Sequence, residues 1–238
     1  MRILITAGGT AEKIDDVRSI TNHSSGRLGQ TIAEKFPKEV EIDYITTKQA
    51  LQPKGDNIKI YLIESTTDLA KKMTELLEKN PYQAVIHSMA VSDFTPESSV
   101  TMETLEETIS KNPTDLANAL KVAADSRTEK KISSNTDHLV IILKQNPKVI
   151  SIVKKIQPET ILVGFKLLVD VPMIELLNVA KASLEKNQAD FVLANDLTEI
   201  SGENHHGYLL NKNGKVKEAK TKSEIAELII QAVTEETK

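Results

Sequence analysis

The chain has 238 residues, of which 39% are hydrophobic and 27% charged, a composition typical of a folded globular protein and too apolar for general disorder. Its formal net charge of -4 excludes a global positive field of the kind that gathers nucleic acid or an anionic membrane surface. The chain contains no cysteine, which excludes disulfides, a thiolate nucleophile and cysteine-based metal sites.

The chain opens on a short apolar run, Arg2 to Thr6, which predicts a buried strand. About five apolar residues are too few for the apolar region of a secretory leader or for a membrane-spanning helix. No later run reaches the roughly 18 apolar residues that a membrane span needs. We therefore expect a cytoplasmic protein, with neither a membrane nor nucleic acid among its partners.

After the first strand, short β-rich runs alternate with longer segments of helical period. In chain order, the predicted strands are 2–6, 40–46, 58–63, 83–88, 139–143, 160–165 and 191–194. The predicted helices are 26–36, 67–78, 147–156, 173–186 and 223–233. Several strands lack polar alternation, as strands covered by helices on both faces do. The pattern predicts an α/β fold with a doubly wound, mainly parallel, Rossmann-like sheet.

Two segments interrupt this alternation. Residues 95–135 are polar and contain a helical piece at 115–124, which predicts a flap or insertion over the sheet edge. Residues 202–220 place Asn213-Gly214 between two β-like runs, which predicts a C-terminal hairpin. The sequence shows no internal repeat and no long linker, so we expect a single domain over residues 1–238.

The first strand leads into the sequence AGGT, and a later loop leads through Ser24, Ser25 and Gly26 into a helix. Backbone N–H groups in such places point outward and fit phosphate oxygens. Gly8 and Gly9 let the backbone approach a ligand closely, although a glycine pair is equally typical of a plain tight turn. The dinucleotide fingerprint G-x-G-x-x-G and the triphosphate loop G-x-x-x-x-G-K-S/T are both missing.

The longer run from Gly8 to Gly29 is far more specific than the glycine pair, and it reads GGTAEKIDDVRSITNHSSGRLG. Further motifs follow in order: AVSDF (90–94), KISS (131–134), NPKVI (146–150), GFKL (164–167) and AND (194–196). Together these segments resemble the motifs of phosphopantothenate–cysteine ligase, and they extend over nearly the whole chain.

The resemblance implies an enzyme of coenzyme A biosynthesis that joins 4'-phosphopantothenate to L-cysteine. The carboxylate attacks the α-phosphate of a nucleoside triphosphate and releases pyrophosphate, and the cysteine amine then displaces the nucleotide from the acyl-nucleotide. The resemblance also implies Mg²⁺ with the triphosphate, a homodimer and no flavin. Many bacterial relatives carry a flavin-dependent decarboxylase ahead of the ligase. Since Met1 begins directly on the first ligase strand, we expect a separate decarboxylase to act next.

The resemblance assigns catalytic roles to three residues. Asn22 falls on the family's Asn that grips the acyl-nucleotide, and an Asn that stabilises a turn is the alternative. Arg18 matches an Arg linked to the second half-reaction, and a structural ion pair with Asp15 or Asp16 is the alternative. Lys131 matches the active-site Lys that neutralises charge on phosphate and acyl oxygens, while the neighbouring Lys130 leaves the register open by one residue.

The binding residues that the resemblance implies form a larger set. Those assigned to the nucleotide are Gly8, Gly9, Thr10, Ser24, Ser25, Gly26, Ala90, Asp93, Asn146, Pro147, Phe165, Lys166 and Lys186. Those assigned to the substrate are Asn22, Ala90 and Asn195. Structural roles are the alternatives at three of these positions: a helix cap for Asp93, core packing for Phe165 and a first helical turn for Pro147.

Some motifs depart from the bacterial pattern, which affects the choice of nucleotide. Bacterial bifunctional members usually read K-I-K-K and G-F-x-x-E-T, whereas KISS and GFKL are closer to eukaryotic members. On the helix before AND, Lys181 and Lys186 are out of step with two lysines of the family. Bacterial relatives favour CTP and eukaryotic ones ATP. We expect CTP, and the eukaryote-like motifs make ATP the alternative.

Two other functions fit parts of the sequence. An NAD(P)-dependent reductase would suit a Rossmann-like sheet but lacks its glycine fingerprint here. A non-catalytic nucleotide-binding regulator is disfavoured because Asn22, Asp93 and Lys131 are all present. His205 and His206 have no carboxylate or third histidine at metal-ligand spacing, so we expect them on the hairpin surface and predict no metal site.

Overall fold

The computed structural model describes residues 1–111, 115–125 and 137–236. The strands are β1 (Arg2–Thr6), β2 (Ala11–Lys13), β3 (Ser19–Thr21), β4 (Glu41–Thr47), β5 (Ile58–Ile63), β6 (Ala84–His87), β7 (Phe94–Thr101), β8 (Leu139–Gln145), β9 (Ile161–Leu168), β10 (Phe191–Asp196), β11 (Ile200–Ser201), β12 (Asn204–Asn211) and β13 (Val216–Thr221). The helices are α1 (Arg27–Lys35), α2 (Thr66–Lys79), α3 (Met102–Lys111), α4 (Leu116–Asp125), α5 (Ser151–Ile156), α6 (Met173–Asn187) and α7 (Lys222–Glu236), with a short 3-10 turn at Leu197–Glu199.

The chain divides into two compact units. The first consists of residues 1–10, 23–91 and 148–238, and the second of residues 11–22 and 92–147. The expectation of a single domain stays a prediction, because a division into compact units does not show whether either unit folds alone.

The first unit is built on one large sheet with the strand order β11-β12-β10-β9-β6-β1-β4-β5, and β13 pairs with β12. The six strands from β10 to β5 in this order are parallel, whereas β12 is antiparallel to β10. The chain moves from β1 outward to β4 and β5, and then returns to place β6 on the other side of β1. The predicted α/β fold with a doubly wound, mainly parallel sheet is confirmed.

Two hydrophobic layers cover the faces of this sheet, and side-chain alternation along the strands explains both. On β1, Ile3 and Ile5 join one layer while Leu4 joins the other, and all three are fully buried. Helices α1 and α7 supply the first layer, and α2, α5 and α6 supply the second. Because β1 lies between two helical layers, its sequence is uniformly apolar, as a central parallel strand requires.

The helix boundaries follow local capping chemistry. Ser65 caps α2 through a reciprocal pair of hydrogen bonds with Asp68, and the helix begins at Thr66, one residue before the predicted start. Helix α5 begins at Ser151, so the prediction of a helix from Pro147 is wrong in its start. The residues before Ser151 form a turn in which Ile152 N–H donates to the Val149 carbonyl over 3.0 Å.

The predicted hairpin is present, formed by β12 and β13 around a turn at 212–215. Gly214 has φ 79°, a left-handed conformation that glycine adopts without strain. The Asn211 side chain accepts from the N–H groups of Asn213 and Lys215 and closes the turn. The C-terminal hairpin therefore extends the large sheet at one edge.

The second unit contains two small antiparallel pairs, β2 with β3 and β7 with β8. The strand predicted at 139–143 is present as β8, but it pairs with β7 instead of joining the large sheet. Val100 and Leu105 form a small core beside α3 and α4. The described part of the predicted 95–135 flap thus contains β7, α3 and α4, and the remainder lies outside the described residues.

Among the described residues, no helix combines the length and the apolar character needed to cross a membrane.

Two histidines of the first unit are buried. His87, the last residue of β6, is 7% exposed, and its Nδ1 lies 2.7 Å from the Thr6 hydroxyl. His205 on β12 is 6% exposed. Burial lowers the pKa of each imidazole to about 4, and the Lys222 charge contributes at His205. Both rings are therefore neutral in the folded protein at neutral pH.

We predict that acid destabilises the protein through these histidines. The unfolded chain takes up protons near pH 6.5 and the folded chain only near pH 4, so stability falls as pH drops through this window. For His87 alone, the free energy of unfolding should fall by about 2 kcal/mol between pH 7.5 and pH 5. His87→Gln should remove that part of the pH dependence in urea unfolding, whereas His23→Gln, at an exposed position, should keep it. An unchanged pH dependence in His87→Gln would contradict the assignment.

Candidate active site

The loops that follow β1 and β6 run side by side at the carboxyl edge of the large sheet. The ladder continues beyond the strands, because Ser88 N–H donates to the Thr6 carbonyl over 2.9 Å and Ala90 N–H donates to the Gly8 carbonyl over 2.8 Å. Thr10 N–H then donates to the Ala90 carbonyl over 3.1 Å. The strand order reverses between β1 and β6, and in open α/β sheets ligands bind at such a reversal.

Two glycines of the signature run allow close packing around the loop after β1. Gly8 has φ 92°, and a Cβ there would lie 2.8 Å from the Ala50 Cβ. A Cβ on Gly29 would overlap the Ala7 side chain and lie 2.9 Å from the Ser88 hydroxyl. Because neither position has space for a side chain, the segment after β4 packs closely against Gly8, and α1 packs closely against Ala7 at the start of this loop.

The amino end of α1 is left without an internal cap. Gly26 precedes the helix with φ 73° and makes no side-chain cap, and the first turn carries no acidic residue. The hydroxyls of Ser24 and Ser25 are 3.4 Å from the N atoms of Gly26 and Arg27, at the long limit for a hydrogen bond. These N–H groups, with the positive end of the helix dipole, form a good anion site.

The buried side chains under these loops are mostly hydroxyls. Thr10 is fully buried, and its hydroxyl is 3.1 Å from that of Thr66 at the start of α2. The hydroxyls of Tyr44 and Thr46 are also buried and have no hydrogen-bond partner among the residues that the structure describes. Neither residue stood out in the sequence, since hydroxyls inside a strand carry no motif.

The next parallel strands, β9 and β10, bring three further candidates to the same edge. Phe165 is partly buried and packs on the layer with α1 and α7, which supports its core-packing alternative. Lys166 on β9 is opposite Ala194 on β10, and Asn195 is 6% exposed. In the described parts of the chain, the side chains of Lys166 and Asn195 make no hydrogen bond or ion pair with other residues.

Asp196 is a site residue that sequence reasoning noted only as part of the AND motif. Its carboxylate accepts four hydrogen bonds, from the N–H groups of Asp170, Val171 and Thr198 and from the Thr198 hydroxyl, over 2.7–3.1 Å. The sequence indicates this arrangement only through the Asp-x-Thr spacing at the end of a strand, because an Asp side chain often accepts from the backbone N–H group two residues later.

Lys186 is not brought to this edge. It lies in the last turn of α6, which leads into the amino end of β10. The helix has 15 residues, so Lys186 lies about 20 Å along its axis from the end near the β9 loop. Its contact with the nucleotide stays a prediction.

In the second unit, Arg18 is held in an ion pair, the structural alternative for this residue. Its Nε and Nη2 donate to one carboxylate oxygen of Asp15 over 3.0 and 2.6 Å. The other oxygen accepts from the N–H groups of Val17 and Arg18 and closes the turn between β2 and β3. Asn22, directly after β3, is exposed. The catalytic roles of Arg18 and Asn22 stay predictions.

A second cluster of this unit joins Ser92, Asp93 and Asn146. The Asn146 amide donates to the Ser92 carbonyl over 2.9 Å, and its N–H donates to the Asp93 carbonyl over 2.8 Å. Asn146 is 8% exposed, whereas the Asp93 side chain and Pro147 are exposed. Asn146 therefore has a structural role in this unit.

Three further predictions have different outcomes. Lys131 and its neighbour Lys130 lie outside the described residues. His205 is buried, so its expected place on the hairpin surface is wrong, whereas His206 contacts Glu199 and Glu218, each over 2.8 Å. No group of three His, Asp or Glu side chains suited to a metal occurs within residues 1–111, 115–125 and 137–236.

Comparisons with known proteins identify relatives of the chain in both sequence and fold. The "Coenzyme A biosynthesis bifunctional protein CoaBC" of Methanocaldococcus jannaschii is 32% identical over 98% of the chain, and the chain spans about 50% of that relative's length. A solved structure from Streptococcus pneumoniae, described as a DNA/pantothenate metabolism flavoprotein, is 43% identical with a TM-score of 0.87 over 99% of each chain. A Cab2 mutant in complex with phosphopantothenate-cysteine is 15% identical, with a TM-score of 0.73 over 99% of this chain and 87% of that one, and shows the fold alone.

The family described as the DNA/pantothenate metabolism flavoprotein C-terminal domain matches residues 1–125 and 117–237, which together make up almost the entire chain. The two matches include the signature run after β1 and each later motif. The chain therefore belongs to the family of the DNA/pantothenate metabolism flavoprotein C-terminal domain.

Proposed function

We propose that the protein is a ligase that condenses 4'-phosphopantothenate with L-cysteine at the expense of a nucleoside triphosphate. The structural observation that supports it most is the parallel backbone pairing of Gly9 with Ala90, at the point where the strand order reverses. This pairing lies beside the amino end of α1, which has no side-chain cap. Family membership and a relative named for coenzyme A biosynthesis add the chemical identity of the substrates.

For the proposed reaction, the protein needs an anion-binding site and groups that stabilise negative charge, more than it needs a strong nucleophile. The carboxylate of phosphopantothenate bonds to the α-phosphorus as the bond to the β-phosphate oxygen breaks and pyrophosphate leaves. The cysteine nitrogen then bonds to the acyl carbon, loses a proton and displaces the nucleoside monophosphate. 4'-Phosphopantothenate and the nucleoside triphosphate are both anionic, so backbone N–H groups at the start of α1 and the lysines assigned to the site suit them.

We propose CTP as the preferred nucleotide, as the resemblance implies for bacterial members, and ATP as the alternative, which the eukaryote-like motifs KISS and GFKL support. Mg²⁺ would neutralise triphosphate charge and be held mainly by phosphate oxygens and water. This fits the absence of a three-residue carboxylate or histidine cluster in the described ranges. Gly8, Gly9, Thr10, Ser24, Ser25 and Gly26 would then provide backbone and hydroxyl groups for phosphate oxygens.

We also propose a homodimer, a cytoplasmic location and a decarboxylase acting next on the product. The support for the dimer is the family resemblance, and for the location it is the absence of cysteine together with a biosynthetic relative. The support for the next step is the bifunctional name of that relative, whose length is about twice the matched region.

The first test of the proposal is a pyrophosphate assay with Mg²⁺, 4'-phosphopantothenate and either CTP or ATP. With cysteine present, we expect sustained release, faster with CTP. Without cysteine, release should stop near one equivalent per protein, because the acyl-nucleotide stays bound. Absence of pyrophosphate with either nucleotide would refute the ligase proposal.

Asn22→Asp should weaken retention of the acyl-nucleotide at least about tenfold, since a carboxylate removes the amide donor and repels an anionic intermediate. The measurement is radiolabelled intermediate that stays with the protein on gel filtration after incubation without cysteine. Asn213→Asp makes the same chemical change in the hairpin turn and should retain the label normally. Normal retention by Asn22→Asp would favour the turn-stabilising alternative.

Lys131→Gln should slow acyl-nucleotide formation about a hundredfold, because the lost cation no longer stabilises charge that develops in the transition state. Single-turnover pyrophosphate release measures this step, and Lys130→Gln is the matched control for the neighbouring position. A larger effect at Lys130 would show that the register is displaced by one residue.

A further inference from the structure

The carboxylate of Asp196 lies at the carboxyl end of β10 and has no part in the proposed chemistry. It is 5% exposed and accepts from Thr198 N–H at 2.8 Å, the Thr198 hydroxyl at 2.7 Å, Val171 N–H at 2.9 Å and Asp170 N–H at 3.1 Å. The bonds from Thr198, followed by those from Val171 and Asp170, hold the pKa of Asp196 well below its usual range. The Asp196 carboxylate is therefore ionised at neutral pH and acts only as a hydrogen-bond acceptor.

These bonds join the segments that follow two neighbouring parallel strands. Asp170 and Val171 belong to the loop from β9 into α6, and Asp170 has φ 52°, a left-handed conformation uncommon for a residue with a side chain. Thr198 belongs to the turn after β10. Asp196 therefore links the loop after β9, which contains the strained residue Asp170, to the turn after β10.

The same strand ends carry two residues assigned to ligands. Asn195 directly precedes Asp196 and is opposite Leu167, and Lys166 is opposite Ala194 one step earlier. Successive residues of a strand point to opposite faces, so Asp196 fixes the backbone from one face while Asn195 occupies the other. A shift of the chain at Asp196 would displace Asn195 by a similar distance.

We propose that Asp196 is a positioning residue of the ligase, which sets the Asn195 amide for the pantothenoyl substrate by anchoring the chain after β9 and β10. This inference rests on the proposed function. Asp196 itself does not touch the reacting atoms, and its effect passes through the backbone to Asn195.

Both carboxylate oxygens are needed for this role. Oδ1 accepts from Asp170 and Thr198, and Oδ2 accepts from Val171. An Asn has one acceptor oxygen, so Asp196→Asn would place an NH₂ group against at least one backbone N–H. Thr198→Ala is a milder change, which removes only the hydroxyl donor.

The experiment compares Asp196→Asn with Asp190→Asn, a change at the opposite end of the same strand. Asp190 accepts from Leu162 N–H over 2.9 Å and pairs with Lys154 over 2.8 Å and Lys212 over 3.2 Å. Both variants should lose stability, since each removes a charge that accepts several hydrogen bonds. Steady-state kinetics per folded protein, with the folded fraction taken from urea unfolding, separate positioning from stability.

We expect Asp196→Asn to raise KM for 4'-phosphopantothenate about tenfold or more, with a smaller change in the same direction for Thr198→Ala. Asp190→Asn should leave KM within about twofold of the unmodified protein. An unchanged KM in Asp196→Asn, or an equal rise in Asp190→Asn, would overturn the positioning role. If Asp196→Asn does not fold, an unchanged KM in Thr198→Ala overturns it. An unmodified protein that releases no pyrophosphate would refute the ligase proposal and this role with it.

Discussion

The hydrogen bonds that extend the β1–β6 ladder past the ends of these strands are the interaction on which the candidate site depends. β1 is buried on both faces and paired on both sides, so the loop that follows it lies at the carboxyl edge of the sheet. The hydrogen bonds donated by the N–H groups of Ala90 and Thr10 keep the loops after β1 and β6 in register at that edge. In a doubly wound sheet, the crevice that binds ligands lies at the carboxyl edge where the strand order reverses.

The contrast between the first two helices follows from this arrangement. α2 satisfies its first N–H groups with its own Ser65 and Asp68, whereas α1 begins with Gly26 and has no acidic residue in its first turn. An uncapped helix end normally reduces stability. At α1 the end lies beside the loop after β1, where an anionic ligand would supply the missing acceptors.

Two carboxylates of the first unit, one partly buried and one buried, stabilise the two ends of β10. Asp190 holds the amino end through two lysines and a backbone N–H, and Asp196 holds the carboxyl end through backbone and hydroxyl donors. Asp190 is paired with charged lysines, whereas Asp196 accepts from neutral donors. An anion that approaches Asp196 therefore meets a carboxylate already surrounded by hydrogen-bond donors. The second unit uses Asp15 similarly, to hold Arg18 and a turn.

The sequence by itself determined the α/β class, most strand positions, the hairpin at Asn213-Gly214 and the family, because period, turn chemistry and contiguous motifs are local properties. Tertiary structure alone decided that β8 pairs with β7 instead of joining the large sheet. It also decided that His205 is buried and that Asp196 joins two loops. Each of these depends on which distant segments pack together, which spacing along the chain does not specify.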